Sequence, residues 1–396
     1  MKCEWKTVKI ADLGQVMGGA TPSTKDPKNY SGNIPWITPK DLSVFNGRFI
    51  SQGERNITQK GLESCSTHIL PKNSVLFSSR APIGYMAIAA NELCTNQGFK
   101  SVIPNSDTDY LFLYYLLQYN KEKIESMGSG TTFKEVSGST MRNIEVSVPG
   151  LEMQKKVAKI LSSLDDKIEL NTAINHNLQQ QVLAMYQKIF VDSPNDDRRI
   201  CRADECFDIS IGKTPPRKEA EWFKTVQADN IVWVSIADMG NCGLFIADSS
   251  EYLSPAAVKN FNVAIVPDNT VLLSFKLTVG RIAITDGWMT TNEAIAHFKT
   301  ENKFINEYLY CYLKSYNFQT LGSTSSIATA VNSKIIKAMP FVVPTDDELA
   351  IFHNFAAPIF EKIKACQHEN VQLTRLRDSL LPKLMNGEID VSDVEI

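Results

Sequence analysis

The chain has 396 residues, 43% of them hydrophobic and 21% charged, with a formal net charge of −3. That length accommodates two or more domains with cores of their own, and the composition is globular rather than fibrous or disordered. No apolar run approaches a membrane span, residues 1–10 lack a signal-peptide core, and the eight cysteines include no C-x-x-C. The expectation is a reduced, cytoplasmic protein with neither a disulfide framework nor a zinc site.

In chain order, short β-rich runs bounded by Gly, Pro, Asn and Ser come first, at residues 34–37, 75–77 and 85–89. An aromatic-rich helix is predicted over 110–127, then a Gly/Ser/Thr loop over 128–132, then a strand ending in Val148-Pro149. From residue 151 to 189 apolar residues recur at alternating spacings of four and three. Val157, Leu161, Leu164, Ile168, Asn171, Asn175, Leu178, Val182, Met185 and Ile189 form one seam, the a/d pattern of a helix packed along its length on another. A helix of this length is a rod of roughly 55 to 60 Å. The two Asn weaken packing but can fix register and partner.

A charged, Pro-containing joint at 192–199 leads into a second pass: β-rich runs at 231–236, 270–275 and 281–285, an aromatic helix over 305–321, a Gly/Ser/Thr loop over 322–329 and a strand ending in Val343-Pro344. A second seam follows as Phe352, Ala356, Ile359, Ile363, Cys366, Asn370, Leu373, Arg377, Leu380 and Leu384. Adding 195 to each member of the first seam gives each member of the second. Thr21-Pro22 matches Thr214-Pro215, VLFSSRAPIGYMAI from Val75 matches VLLSFKLTVGRIAI from Val271, and Thr95-Asn96 matches Thr291-Asn292. Gly128-Ser129 likewise matches Gly322-Ser323. An offset held between 193 and 197 marks a tandem duplication. Arg377 where Val182 stood, Cys366, and Pro358 early in the second rod depart from uniformity, and Pro358 should loosen or kink its first turns.

Residues 1–150 carry 16 basic and 13 acidic groups, 191–345 carry 15 and 17, and 346–396 carry 5 and 10. Each mixed segment is therefore near neutral and can hold a basic face, while the acid collects at the end of the chain. No phosphate-binding loop, dinucleotide fingerprint, H-E-x-x-H or G-x-S-x-G is present, and the five histidines are scattered. Pro267-Asp268 followed by Glu301-Asn302-Lys303 has the look of a metal-dependent nuclease string, in which carboxylates hold Mg²⁺ and Lys polarises a phosphate. Such a short, gapped string arises readily by chance and the first copy has Lys72 and Asn73 near the place of Asp268, so a turn acid with two surface charges is the favoured reading.

What remains is a set of polar and basic loop positions. In the first copy these are Thr21, Lys25, Lys28, Lys40, Ser78, Ser79, Arg80, Lys100 and Lys134; in the second, Lys213, Thr214, Arg217, Lys218, Ser274, Lys276, Arg281 and Lys299. Such groups neutralise phosphates and reach base edges when loops present them on a rigid scaffold, although for any single one a solvated charge is the favoured reading.

The blocks SSRAPIGYMAI with TNQGF, LSFKLTVGRIAI with TNEAI, VPGLEMQKKVAKILSSLDDKIELN from Val148 and LLPKLMNGEI from Leu380 resemble the signatures of specificity (S) subunits of type I restriction–modification enzymes. The resemblance covers essentially the whole chain. It implies an α+β fold: two pseudo-symmetric mixed α/β target recognition domains, 1–150 and 192–345, separated by two long antiparallel helices, 151–191 and 346–390, packed as a coiled coil. It implies a DNA-binding, non-catalytic subunit in which each domain binds half of a bipartite double-stranded site and the helix pair sets the spacer. Two methyltransferase (M) subunits using S-adenosylmethionine would dock on it, joined by restriction/translocase (R) subunits using ATP and Mg, with no cofactor or metal in this chain. Arg80 against Lys276 or Leu277, and Gln97-Gly98 against Glu293-Ala294, imply that the two halves read different sequences. The competing readings are an autonomous Mg-dependent nuclease built on Asp268, Glu301 and Lys303, and a coiled-coil adaptor whose globular halves bind protein.

Overall fold

In a computed structural model, residues 5–130, 134–219, 221–302, 304–321 and 331–394 are described. Residues 131–132 of the first Gly/Ser/Thr loop, the whole of the second loop and Lys303 lie outside them.

Two runs without an exposed side chain, Val75–Ser79 and Val271–Ser274, form the centre of two similar sheets. A strand buried on both faces must be covered on both, and each is flanked by neighbours whose order is the same in the two copies. The first five-stranded sheet runs Gly14–Gly18, Lys100–Pro104, Val75–Ser79, Ile83–Ala89, Phe49–Ile50. The second runs Asp208–Ile211, Ile295–Lys299, Val271–Ser274, Ile282–Thr285, Phe245–Ile246. In both, the last strand joins parallel and the others pair antiparallel. A smaller sheet accompanies each, Arg55–Ile57, Tyr30–Ile37 and Cys94–Thr95 in the first copy. The second copy adds a strand: Phe223–Lys224, Tyr252–Leu253, Ile231–Val234, Thr290–Thr291. A two-stranded ribbon closes each copy, Lys6–Lys9 on Glu145–Val148 and Arg199–Arg202 on Pro340–Val343. The duplication read from the offset is thus a duplication of fold.

The aromatic helices are core elements. The first breaks at Asn120 into Tyr110–Tyr119 and Lys121–Ser126, because Asn120 leaves the helical region (φ −90°, ψ 7°) and its side chain caps the Leu116 carbonyl. The second is Asn306–Ser315, with a separate single turn at Phe318–Thr320.

By its internal contacts the chain forms two compact units, one of Met1–Glu169 with Val371–Ile396 and one of Leu170–Asn370. Each contains one head and a piece of both long helices, Leu151–Tyr186 (continued by a π-helical turn, Gln187–Val191) and Asp346–Met385. Within the first unit the helices run antiparallel: Arg377 Nη1 lies 2.7 Å from Asp165 Oδ1, while Lys156 reaches the Ser392 carbonyl further along. Within the second unit Asn171 donates to Asn370 Oδ1 (2.9 Å) and Glu369 Oε2 (2.8 Å), and the Phe190 ring packs 5.3 Å from that of Phe352. Of the seam positions, Asn171, Ile363 and Cys366 are buried, while Leu164, Ile168, Asn175, Leu178, Ile359, Asn370 and Leu373 are half-buried. Arg377, a misfit by hydrophobic pattern, answers the buried Asp165 carboxylate. Pro358 does not interrupt the helix as expected: it is exposed, so the carbonyl it leaves unbonded (Asn354, also exposed) can turn to water.

The long helices also complete the head cores. In the first unit Val157, Leu161, Leu381 and Leu384 join Val75, Phe77, Phe112 and Tyr115 in one cluster. In the second, Val182, Tyr186, Phe352, Ala356 and Ile363 join Val271, Phe298, Tyr308 and Phe341. At about 1.5–3 kcal/mol for each fully buried large apolar side chain, head and helix within a unit stand or fall together.

Candidate nucleic-acid interface

In each copy a glycine lets the chain pass tightly under the sheet before the Thr-Pro pair. A Cβ on Gly19 would lie 2.1 Å from the Thr95 carbonyl oxygen, and one on Gly212 2.1 Å from Thr291 Oγ1. An indole then holds the next residue: Trp36 Nε1 donates to the Ala20 carbonyl (3.1 Å) and Trp233 Nε1 to the Lys213 carbonyl (3.2 Å). The result is a threonine hydroxyl aimed at the neighbouring Thr-Asn turn. Thr21 donates to Gln97 Oε1, and Thr214 to Glu293 Oε2. Those turns are themselves locked, Asn96 Oδ1 accepting from Gly98 N (2.9 Å) and Asn292 Oδ1 from Ala294 N (3.0 Å). Backbone bonds tie them to the central strands, Ser79 N to the Gly98 carbonyl (2.7 Å) and Phe275 N to the Ala294 carbonyl (2.8 Å).

Around this shared frame the charges differ. In the first head Arg80 Nη1 lies 3.4 Å from Glu135 Oε2 and Lys100 Nζ 3.3 Å from Glu135 Oε1. Two cations thus share one carboxylate, and Gly138 lies against the Arg142 guanidinium and the Lys100 chain. Lys134 and Lys25 are exposed, and Lys40 pairs with Glu54 at 2.7 Å between two well-exposed side chains. Exposed pairs of this kind contribute no more than about 1 kcal/mol, so phosphates can displace them.

In the second head the Arg217 guanidinium stacks 4.0 Å from the Phe223 ring centre and 4.7 Å from that of Trp233, and pairs with Glu251 at 2.7 Å. Lys276 and Lys213 are exposed. Beside Lys276, Leu277 stands 98% exposed in the left-handed region (φ 60°). Partial desolvation opposes the charge on Glu293, but the Thr214 hydroxyl and the nearby Lys276 and Arg217 cations prevail and hold its carboxyl below the usual value.

Five sequence-predicted contacts are corrected by their positions. Ser79 is fully buried at the end of Val75–Ser79, so its hydroxyl packs rather than faces solvent. Ser78 and Ser274 are also fully buried and bridge the following turns, accepting from Tyr85 N (2.8 Å) and Arg281 N (3.0 Å). Arg281 turns inward, donating to the Ile236 carbonyl and lying against Gly240, and so fixes the helix Ile236–Asn241 instead of offering a charge. Lys299 is held by Asp208 at 2.6 Å. Asp268, the first acid of the nuclease string, accepts from Gly287 N at 2.7 Å as a turn acid, and Glu301 is exposed. Among the described residues no group of three His, Cys, Asp or Glu side chains could hold a metal ion, and no helix is long and apolar enough to cross a membrane.

The family model for the type I restriction modification DNA specificity domain matches residues 2–180 and, a second time, residues 195–371. The chain belongs to this family. It is 33% identical over 419 residues to the type I restriction enzyme MjaIX specificity subunit of Methanocaldococcus jannaschii, covering 99% of this chain and 95% of that protein. It is 24% identical over 467 residues to the HindI specificity subunit of Haemophilus influenzae, covering 98% and 100%. The fold matches the crystal structure of the S subunit of a type I restriction–modification system from M. genitalium at a TM-score of 0.58, with 16% identity over 97% of this chain and 96% of that one.

For a member of this family, the sequence marks Gln97 and Glu293 as a difference between the halves but not as side chains gripped by Thr21 and Thr214, and it does not mark Glu135 at all. The first two lie inside the repeated Thr-Asn blocks, and their differing identities on a common turn were the available signal. Nothing local predicts that Glu135 gathers Arg80 and Lys100. A polar groove of about 620 Å³ in the first head, between Thr24, Tyr30, Gln52, Arg55 and Asn56, was likewise not foreseen.

Proposed function

We infer that this chain is the DNA sequence-specificity subunit of a type I restriction–modification complex. The observation that carries this reading is the duplicated head with one backbone frame and different side chains at its apex, in a chain whose two halves both match the specificity family. Each head contacts one half of a bipartite double-stranded site. Thr21, Lys25, Lys40, Arg80, Lys100 and Lys134 form the DNA-facing set of the first head; Lys213, Thr214, Arg217 and Lys276 form that of the second. The shared helices, about 54 Å for 36 residues of ideal helix, set the unread spacer.

Catalysis belongs to partners. Two methyltransferase subunits dock on the helix pair and bring S-adenosylmethionine, and restriction/translocase subunits bring ATP and Mg, so the chain itself needs no cofactor and works in the cytoplasm. With a net charge of −3, the chain alone neutralises few phosphates, and the M subunits supply further contacts.

The test is to express the chain with its methyltransferase subunits in a host lacking other adenine methylation and to map modified adenines. The expected result is one motif of two fixed blocks separated by unread positions. A single contiguous motif, or no methylation from an active M subunit, would contradict the reading. Binding of the target duplex at moderate salt should be tighter for the M-containing complex than for the isolated chain.

A further inference from the structure

Two side chains stand at equivalent points of the two heads and answer to the same neighbours. Gln97 and Glu293 are exposed, each follows a Thr-Asn pair, and each is gripped by the hydroxyl of a Thr-Pro threonine. Each is also carried on a turn that hydrogen-bonds to the end of the central strand, beside Arg80 in one head and Lys276 in the other. The frame is therefore rigid and the same, and only the side-chain head group changes: an amide in one copy, a carboxylate in the other.

Given the DNA-reading role proposed above, on which this rests, we propose that residues 97 and 293 are base-reading positions, Gln97 for adenine and Glu293 for cytosine, in the major groove. An amide oxygen has two lone pairs; Thr21 occupies one, leaving the other to accept from adenine N6–H while Nε2 donates to N7. A carboxylate can only accept. Both purines present N7 on their own edge and would repel it, whereas cytosine's own edge offers only the N4–H donor, the guanine O6 and N7 lying across the pair. A carboxylate on a DNA-facing surface is repelled by every phosphate, so its presence there serves discrimination rather than general affinity. Lys276 and Arg217, which favour the ionised form, keep Glu293 acceptor-only at neutral pH.

The experiment uses the complex with its methyltransferase subunits and a panel of duplexes in which each base pair of the mapped target is changed in turn. For Glu293→Gln the preference at one pair of the second half-site should move from cytosine to adenine by roughly 10- to 100-fold, with the first half-site profile unchanged. Gln97→Glu should do the reverse at the first half-site. Thr214→Val, which frees the side chain, should flatten discrimination at the same pair that Glu293→Gln alters. An unchanged profile at the other half-site reports that each variant is folded. If Glu293→Gln instead shifts affinity equally for all duplexes, or leaves every preference as it was, the residue is not a reader and the inference is wrong. If the wild-type complex shows no preference among duplexes, the specificity role falls and takes this inference with it.

Discussion

The two heads share strand order, tight turns and core plan, yet they are fastened to the long helices by different chemistry. In the first unit the anchor is ionic. Arg48, only 6% exposed, pairs with Asp166 and with Glu169 (3.0 Å), and Tyr115 donates to Asp165, which Arg377 neutralises. In the second unit the fastening mixes ion pairs with neutral bonds: Lys364 on the helix lies 2.8 Å from Asp286 Oδ1 of the head, and His368 meets the same carboxylate. Gln367 both accepts from Phe245 N (3.1 Å) and donates to its carbonyl (2.9 Å), Gln179 donates to the Tyr310 hydroxyl, and the Tyr308, Phe352 and Tyr186 rings pack together. The backbone plan is therefore tolerant of how charge is arranged at the anchor, while it demands the apolar seam and the glycine-tight turn in both copies. Duplicated units are free to diverge where a pair of residues can change together, and at the apex where the partner is a ligand.

The largest effect should come from breaking the ionic anchor. Arg377→Ala leaves the Asp165 carboxylate, 8% exposed, with the Tyr115 hydroxyl as its side-chain partner among the described residues, and should cost about 3 kcal/mol. Hydrogen exchange should quicken throughout Met1–Glu169 and Val371–Ile396 and spare the second unit. Replacing both Asp165 and Arg377 by Leu should cost less than the single change, because no charge is stranded.

Acid should separate the units next. Arg198 bonds Glu348 through three contacts of 2.8–3.1 Å, holding its carboxyl at about 2 against an ordinary 4.5. A depressed carboxylate stabilises fully above the unfolded value and ceases to as pH falls through the folded one. The second unit should therefore lose about 2 kcal/mol between pH 5 and pH 2, and Glu348→Gln should flatten that slope. Exchange rates followed across that window would check it.

Smaller still is the effect of a neutral bond in the second anchor. Tyr310→Phe removes one hydrogen-bond partner of Gln179 and should cost about 1 kcal/mol, seen as a lower melting temperature with unchanged DNA preference.

The smallest effect belongs to the exposed cations. Lys134→Ala or Lys25→Ala should weaken binding equally for all sequences and reduce the salt slope by about 1, measured by titration at several ionic strengths.

These contrasts follow what a sequence can and cannot display. The seams were legible because periodicity is local, and the duplication because Thr21-Pro22 and Thr95-Asn96 recur at one offset. Arg377 looked like a flaw in the second seam, since its answer, Asp165, lies 212 residues earlier in the chain. Ser79 and Arg281 were read as contacts because polarity is visible in a sequence and burial is not. Whether a serine at a strand end faces the core or solvent depends on the path of the chain beyond it. Gln97 and Glu293 could be compared by position, but the threonine that holds each comes from a turn 76 or 79 residues away.

That each head reads its own block of DNA is tested most directly by one exchange. A chain in which the second head, residues 192–345, is replaced by a second copy of residues 1–150 should be expressed with the methyltransferase subunits and its modified adenines mapped. The account predicts a symmetric motif, the first block repeated in inverted orientation across the spacer. An active complex that kept the original asymmetric motif would contradict it.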